Sequence, residues 1–253
     1  MLLDAAAFVP TNRLDLARWH PDFVALSFYK MFGYPTGVGA LIGRRAALAK
    51  LHRPWFAGGT ITVASVQADR HFLAAGAAAF EDGTLDYLMI PAVDVGLSFL
   101  ESVGLDAIHA RTRCLTGWLL DRLTALRHGT GRPVVHVYGP TTTERRGGAV
   151  ALNFADREGR LIDHQEIEER ANRRGISLRT GCFCNPGAGE LALGLSRNEL
   201  ATCFRGAGTA MTYDDFRTCV DGKGSGAVRV SLGLGSNFAD VEAFLALAEE
   251  LVE

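Results

Sequence analysis

No stretch of this sequence is long and apolar enough to suggest a membrane span, and no basic segment with an apolar core and cleavage site opens it. Neither a transmembrane helix nor a secretory leader is expected. Charge of either sign is not in excess. The 26 Lys and Arg stand against 28 Asp and Glu, a formal net charge of -2, which leaves no electrostatic footprint for nucleic acid or a membrane surface. Cysteine is sparse and odd in number, 5 in 253 residues, so a disulfide framework is not expected and a reducing, cytoplasmic compartment is. Internal repeats and low-complexity tails are absent as well. What is there is 48% hydrophobic, enough for a sizeable core in one large or two smaller domains.

The most informative stretch is Ser27-Phe-Tyr-Lys30-Met-Phe-Gly33-Tyr-Pro35-Thr-Gly37-Val-Gly39. The apolar run Phe23–Leu26 before it reads as a buried strand, and Val38–Ile42 after it as another. Gly33, Pro35, Gly37 and Gly39 force a tight path between them. A lysine set among aromatics at a strand end is costly to bury, and burial would favour its neutral amine, a usable nucleophile toward a carbonyl. The same residues also suit a surface lysine that snorkels beside a glycine-rich turn.

Met1–Val9 is strand-like, interrupted by Asp4. A carboxylate in a buried strand needs a cationic partner, and a protonated ring nitrogen would serve; an exposed place on an edge strand is the alternative. Arg44–Leu51 reads as a short helix, Pro54–Thr60 as a loop, and Val66–Phe72 as extended or irregular. Ala74–Phe80 reads as helical. In the turn Glu81-Asp82-Gly83-Thr84 the glycine permits close backbone approach and Thr84 offers a hydroxyl; an ordinary turn fits equally. Helices are predicted over Pro91–Val103, opened by proline, and over Leu105–Leu126, with Ile108, Leu115, Leu119, Leu120 and Leu123 on one face. Val134–Tyr138 and Gly148–Asn153 read as a hairpin-like strand pair. Asp163 caps a helix through Arg174, Ile176–Arg179 is a strand, Ser196–Phe204 and Tyr213–Cys219 are helices, Ala227–Leu232 is a strand and Asn237 caps the last helix.

In Arg179-Thr-Gly181-Cys182-Phe-Cys184-Asn-Pro186-Gly-Ala-Gly189, two cysteines occupy a Gly/Pro-rich loop. No second cysteine pair or histidine cluster supplies the other ligands of a metal site, so no metal is expected. A thiolate exposed near Arg179 would be reactive, and a pair of idle thiols is the bland alternative.

Six ordered blocks carry a family resemblance: Leu2–Ala7, Ser27–Lys30 with its Gly37-x-Gly39 tail, Gly58-Gly59-Thr60, Phe80–Thr84, Arg179–Ala188 and Val228–Leu232. Together they resemble class V aminotransferase-fold enzymes, and within these the cysteine desulfurase-like domain of molybdenum cofactor sulfurases. The Cys-Phe-Cys-Asn-Pro-Gly block favours that branch. The resemblance implies an α/β chain: the C-terminal part of a fold type I large domain plus a small α+β domain. The expected boundaries are 1–104 for the partial large domain, 105–130 for a connecting helix and linker, and 131–253 for the small domain with the cysteine loop.

The resemblance also implies pyridoxal 5'-phosphate, held by Lys30 as a Schiff base, with Asp4 on the pyridine nitrogen and Ser27 on the phosphate. Thr84 would reach the phosphate of the other subunit of a homodimer. Arg229 would bind the carboxylate of the substrate, L-cysteine. Cys184, with Cys182 as runner-up, would carry the persulfide to an acceptor such as molybdenum cofactor or a carrier protein. Alternative readings are another class V reaction (aminotransferase, epimerase or lyase), or a non-catalytic remnant or partner subunit of that fold. Related desulfurases have Gln where Ala7 stands and His where Tyr29 stands, features in which this sequence follows the sulfurases. A third cysteine often found near the loop is Gly189 here. The family's phosphate-cradling helix and ring-stacking residue lie upstream of the Asp strand, so this chain is expected to be a fragment or to have that part supplied separately.

Overall fold

The computed structural model describes residues 1–206, 210–220 and 226–253. They form two compact units, Met1–His109 and Ala110–Glu253.

In the first unit, β1 (Leu2–Asp4) runs parallel to β2 (Phe23–Ser27), with Asp4 opposite Ala25. The strand-like run predicted to Val9 ends at Asp4, because Asp4 Oδ1 accepts the Ala6 N–H at 3.0 Å and turns the chain. After the single turn α1 (Tyr29–Phe32), whose C-cap Gly33 has φ 85°, β3 (Gly39–Gly43) returns antiparallel to β2. Gly39 is needed there: a Cβ would stand 2.7 Å from the Leu26 carbonyl oxygen. The predicted buried strand is only half-buried, with Val24 its one fully covered residue. Both sheet faces carry exposed apolar side chains, since the neighbours Leu41 (61%) and Ile42 (43%) point to opposite sides. The remaining elements are α2 (Arg45–Leu48), the hairpin β4 (Ile61–Ser65) with β5 (Arg70–Leu73), a 3-10 turn at Gly76–Phe80 and α3 (Ile90–Val103).

Of α4 (Leu105–Ala125), residues from Ala110 onward belong to the second unit. There β6 (Val135–Tyr138), β7 (Ala149–Phe154), α5 (His164–Asn172), β8 (Arg179–Gly181), α6 (Pro186–Ala192), α7 (Arg197–Gly206), α8 (Tyr213–Cys219), β9 (Ala227–Ser231) and α9 (Phe238–Glu249) follow. The sheet is antiparallel in the order β6-β7-β9-β8. Register and period-two alternation divide it into two chemical faces. Val135, Val150, Leu152, Phe154 and Val228 share the apolar face and form one core with Leu115, Leu119, Leu120 and Leu123 of α4, Ile167 of α5 and Phe244 of α9. The other face carries His136, Tyr138, Asn153, Arg179 and Arg229.

α7 and α8 close a satellite core of Leu195, Cys203 and Val220, joined by a Cys203–Cys219 disulfide. No such bond was expected from the odd cysteine count; it leaves three exposed free thiols, Cys114, Cys182 and Cys184. No helix among the described residues is long and apolar enough to cross a membrane.

His164, at the start of α5, sits where α5 and α8 meet: its Nδ1 lies 3.3 Å from the Tyr213 hydroxyl, and neighbouring Asp163 pairs with Arg217 at 2.7 Å. Burial lowers its pKa from the ordinary value of 6.5; Arg217 adds to the depression, while Asp163 and Glu168 oppose it. An unfolded chain then binds the proton more readily than the folded one, so stability is full above the ordinary value and falls as pH drops through it. Denaturant midpoints measured from pH 7.5 to 5 are expected to decline, and His164→Gln to flatten that part of the slope.

Candidate functional site

Each unit holds its own cluster of the residues singled out from sequence. In the first, Asp4 ends β1 and Ser27 ends β2, so the carboxylate and hydroxyl lie at the carboxyl ends of neighbouring parallel strands, where α/β sheets bind ligands. Lys30 follows on α1. Of the two places its sequence context left open, buried or snorkelling at the surface, it takes the surface one. Lys30 is exposed, and its recorded contact is with the ring of Tyr29, 5.9 Å from Nζ to the centroid. The physical reason is that α1 is a single turn whose packing falls to another residue: Phe32 lies against α3, at Gly96. Asp4 is exposed too, at the sheet edge, the alternative that its sequence context left open.

Gly96 is what lets α1 seat there. A Cβ at that position would come within 2.4 Å of the Phe32 ring. Gly96→Ala is expected to displace the Phe32 ring and destabilise the first unit by about 1–3 kcal/mol, the range for overpacking, which a denaturant titration of wild-type and variant chains checks.

Thr84 is exposed and belongs to a pair of turns. Gly83 N–H donates to Gly58 O at 2.9 Å, so the Gly58-Gly59-Thr60 and Asp82-Gly83-Thr84 blocks, separate in sequence, are joined. Gly59 and Gly83 have φ of 87° and 78°, the left-handed region that glycine enters without strain. Arg53, which sequence reading passed over, reaches into this pair. The only sequence signal for it was an arginine beside Trp55 just ahead of the Gly-Gly turn.

In the second unit the cysteine loop is a tight turn. Asn185 N–H donates to Cys182 O at 2.9 Å, and the two central residues, Phe183 and Cys184, have φ of 53° and 60°. Two successive non-glycine residues in that region cost about 1–3 kcal/mol each and persist where surrounding structure fixes them. Two contacts do so. Asn185 caps α6 by accepting the Ala188 N–H at 3.2 Å, and the Arg229 guanidinium stacks 5.0 Å from the Phe183 ring centroid. Cys182 and Cys184, both exposed, therefore flank an aromatic ring seated on Arg229. Arg229 stands directly across from Arg179 in the β8–β9 register, on the polar sheet face. Its Nε is buried and without a hydrogen-bond partner among the described residues. Two like charges side by side and an unsatisfied donor fit an anion such as a carboxylate. Among the described residues no group of three or more His, Cys, Asp or Glu is placed to hold a metal.

The first unit thus presents a carboxylate and a hydroxyl at neighbouring strand ends with an amine on the next turn, and the second a strained turn with two thiols beside an arginine. Solved structures share this fold. The apo cysteine desulfurase from Thermococcus onnurineus NA1 superposes with a TM-score of 0.71 at 24% identity, covering 99% of this chain and 52% of that one. A C-DES variant with glycine covalently linked to its PLP cofactor gives 0.64 at 17% identity, covering 96% and 49%. The family model for aminotransferase class-V matches residues 1–244, and the chain belongs to that family. Molybdenum cofactor sulfurase of Solanum lycopersicum is 38% identical over 250 residues, 98% of this chain; the chain spans 30% of that relative's length.

Proposed function

We propose that this chain carries the cysteine loop and lysine turn of a pyridoxal 5'-phosphate-dependent cysteine desulfurase of the molybdenum cofactor sulfurase type. The observation that carries the reading is the Cys182–Asn185 turn, which holds two exposed thiols around a ring stacked on Arg229. Support for the cofactor comes from family membership and from a donor set of amine, carboxylate and hydroxyls that matches an aldehyde, a pyridine nitrogen and a phosphate.

Bound pyridoxal phosphate would supply an electron sink for the pair released at the substrate's α-carbon. Lys30 would hold the aldehyde through Nζ and would carry the substrate's α-proton. Asp4 would keep the ring nitrogen protonated, with Ser27 on the phosphate. Arg229 would bind the carboxylate of L-cysteine and hold it beside the thiol turn. The Cys184 thiolate would attack the substrate sulfur. A sulfur–sulfur bond would form to the enzyme as the carbon–sulfur bond breaks with its pair going to the substrate's β-carbon; that carbon would take a proton, Lys30 would return one to the α-carbon, and alanine would leave. The persulfide then passes to an acceptor, molybdenum cofactor or a carrier protein. A homodimer would place Thr84 at the second subunit's phosphate.

Incubation with pyridoxal phosphate is expected to give a visible absorbance band that Lys30→Ala abolishes, and addition of cysteine is expected to yield alanine. A chain that shows no band at millimolar cofactor would favour the non-catalytic reading. A band without alanine, but with amino transfer to a keto acid, would favour another class V reaction.

A further inference from the structure

We infer that Arg53 and Asp82 are a positioning pair that fixes the joined turns at Gly58–Thr60 and Asp82–Thr84, so that the Thr84 hydroxyl is held ready for a phosphate monoester. The inference rests on the proposed binding of pyridoxal phosphate and deepens it.

The Arg53 side chain is only 7% exposed, far more covered than a surface arginine. Of its three recorded attachments, one is in the Asp82 turn, one in the 3-10 turn just ahead of it and one on Trp55 just ahead of the Gly58 turn. Nη2 meets Asp82 Oδ1 at 2.6 Å, Nη1 donates to Ala79 O at 3.0 Å, and the guanidinium lies 5.0 Å from the Trp55 ring centroid. Two adjacent nitrogens thus grip two points of the segment that leads into Thr84, a planar fork that lysine cannot reproduce. Its Nε is buried and has no hydrogen-bond partner among the described residues. On the facing turn, Thr60 is fully buried, its Oγ1 accepting the Ala57 N–H at 3.0 Å and donating to Ala57 O at 2.8 Å. That turn is therefore rigid in itself. The Thr84 turn is not: its residues 81–84 are exposed, and it is tied to the rest by the Gly83–Gly58 bond and by Arg53. Without the guanidinium, the Gly83–Gly58 backbone bond is the hydrogen bond left to hold it to the facing turn among the described residues. A hydroxyl on so short a tether loses the pre-organisation that makes one hydrogen bond to an anion useful.

The test compares pyridoxal phosphate with pyridoxal, which has the same aldehyde and no phosphate, in absorbance titrations of the full chain. The ratio of the two affinities is insensitive to a general loss of folded protein, because both ligands would suffer alike. Arg53→Met and Asp82→Asn are each expected to reduce the preference for the phosphorylated aldehyde about tenfold, in the range of one lost hydrogen bond to a charged group. Thr84→Ala should do the same, and should add nothing in the Arg53→Met background. Amide hydrogen exchange at Gly83 should accelerate in Arg53→Met without any ligand. Asp82→Asn leaves the buried arginine in place and serves if Arg53→Met does not fold. If Thr84→Ala lowers the preference while both pair variants leave it intact, the inference is overturned and the proposed function stands. If the wild-type chain binds the aldehyde but makes no distinction, the inference falls together with the phosphate role of Thr84. Should it bind neither aldehyde, the proposed function fails, and unchanged exchange at Gly83 in the pair variants overturns the inference separately.

Discussion

Cys184→Ser is expected to abolish persulfide formation and reduce alanine release from cysteine by at least about 100-fold, while Cys182→Ser retains most of the activity. The attacking atom must be a thiolate, and a serine hydroxyl neither ionises near neutral pH nor bonds to sulfur in this way. Cys184 is the better candidate because it occupies the second central position of the Cys182–Asn185 turn, at φ 60°, whereas Cys182 starts the turn from the end of β8. Serine keeps the side chain's size, so the turn and its Arg229–Phe183 stack should survive, and the cofactor absorbance band should remain. Mass spectrometry of the protein after exposure to cysteine, with a gain of one sulfur, is the direct measurement. If Cys182→Ser is the inactive variant and Cys184→Ser works, the assignment of the thiol is reversed. If both work, sulfur abstraction through this turn is wrong and a class V reaction independent of the loop takes its place.

Phe154→Ala is expected to destabilise the second unit by about 3–5 kcal/mol, the usual range for emptying a buried aromatic site. Phe154 is fully buried on the apolar sheet face, opposite Val135, with the Phe244 ring 6.2 Å away. Its neighbours come from a strand pair and from α9, elements fixed elsewhere, so the void cannot simply collapse. A denaturant titration should show a lowered midpoint with little change in slope. The contrast is Ala151 on the polar face, where truncation to glycine should cost far less.

Where local chemistry decides an element, the sequence was enough to read it. Tyr213–Cys219 forms as predicted because Thr212 and Asp215 build a complete capping box, and Asn237 with Asp240 starts α9 the same way. The α4 stripe of Leu115, Leu119, Leu120 and Leu123 is buried as its periodicity required. Elements decided by a distant partner were misplaced or missed. The strand expected at Ile176–Arg179 lies at Arg179–Gly181, because its bounds follow from pairing with β9. Of the β4–β5 hairpin only part of β5 was read, within the extended or irregular Val66–Phe72, and β4 was missed, since the hairpin is short and largely exposed and has no core side to impose a pattern. At the candidate site, the blocks themselves were legible and their surroundings were not. Nothing in Phe28-Tyr29-Lys30 tells that Phe32 rather than the lysine would take the packing role against α3. Arg53 was invisible for a similar reason, because its meaning depends on Asp82, 29 residues away.

The uncovered sheet of the first unit bears on calorimetry. Side chains such as Leu41 and Ile42 meet solvent already in the native chain, so melting adds little newly hydrated hydrocarbon there. Residues 1–109 should therefore contribute a smaller heat-capacity increment than their number suggests, and a broad endotherm beside the sharper one of residues 110–253.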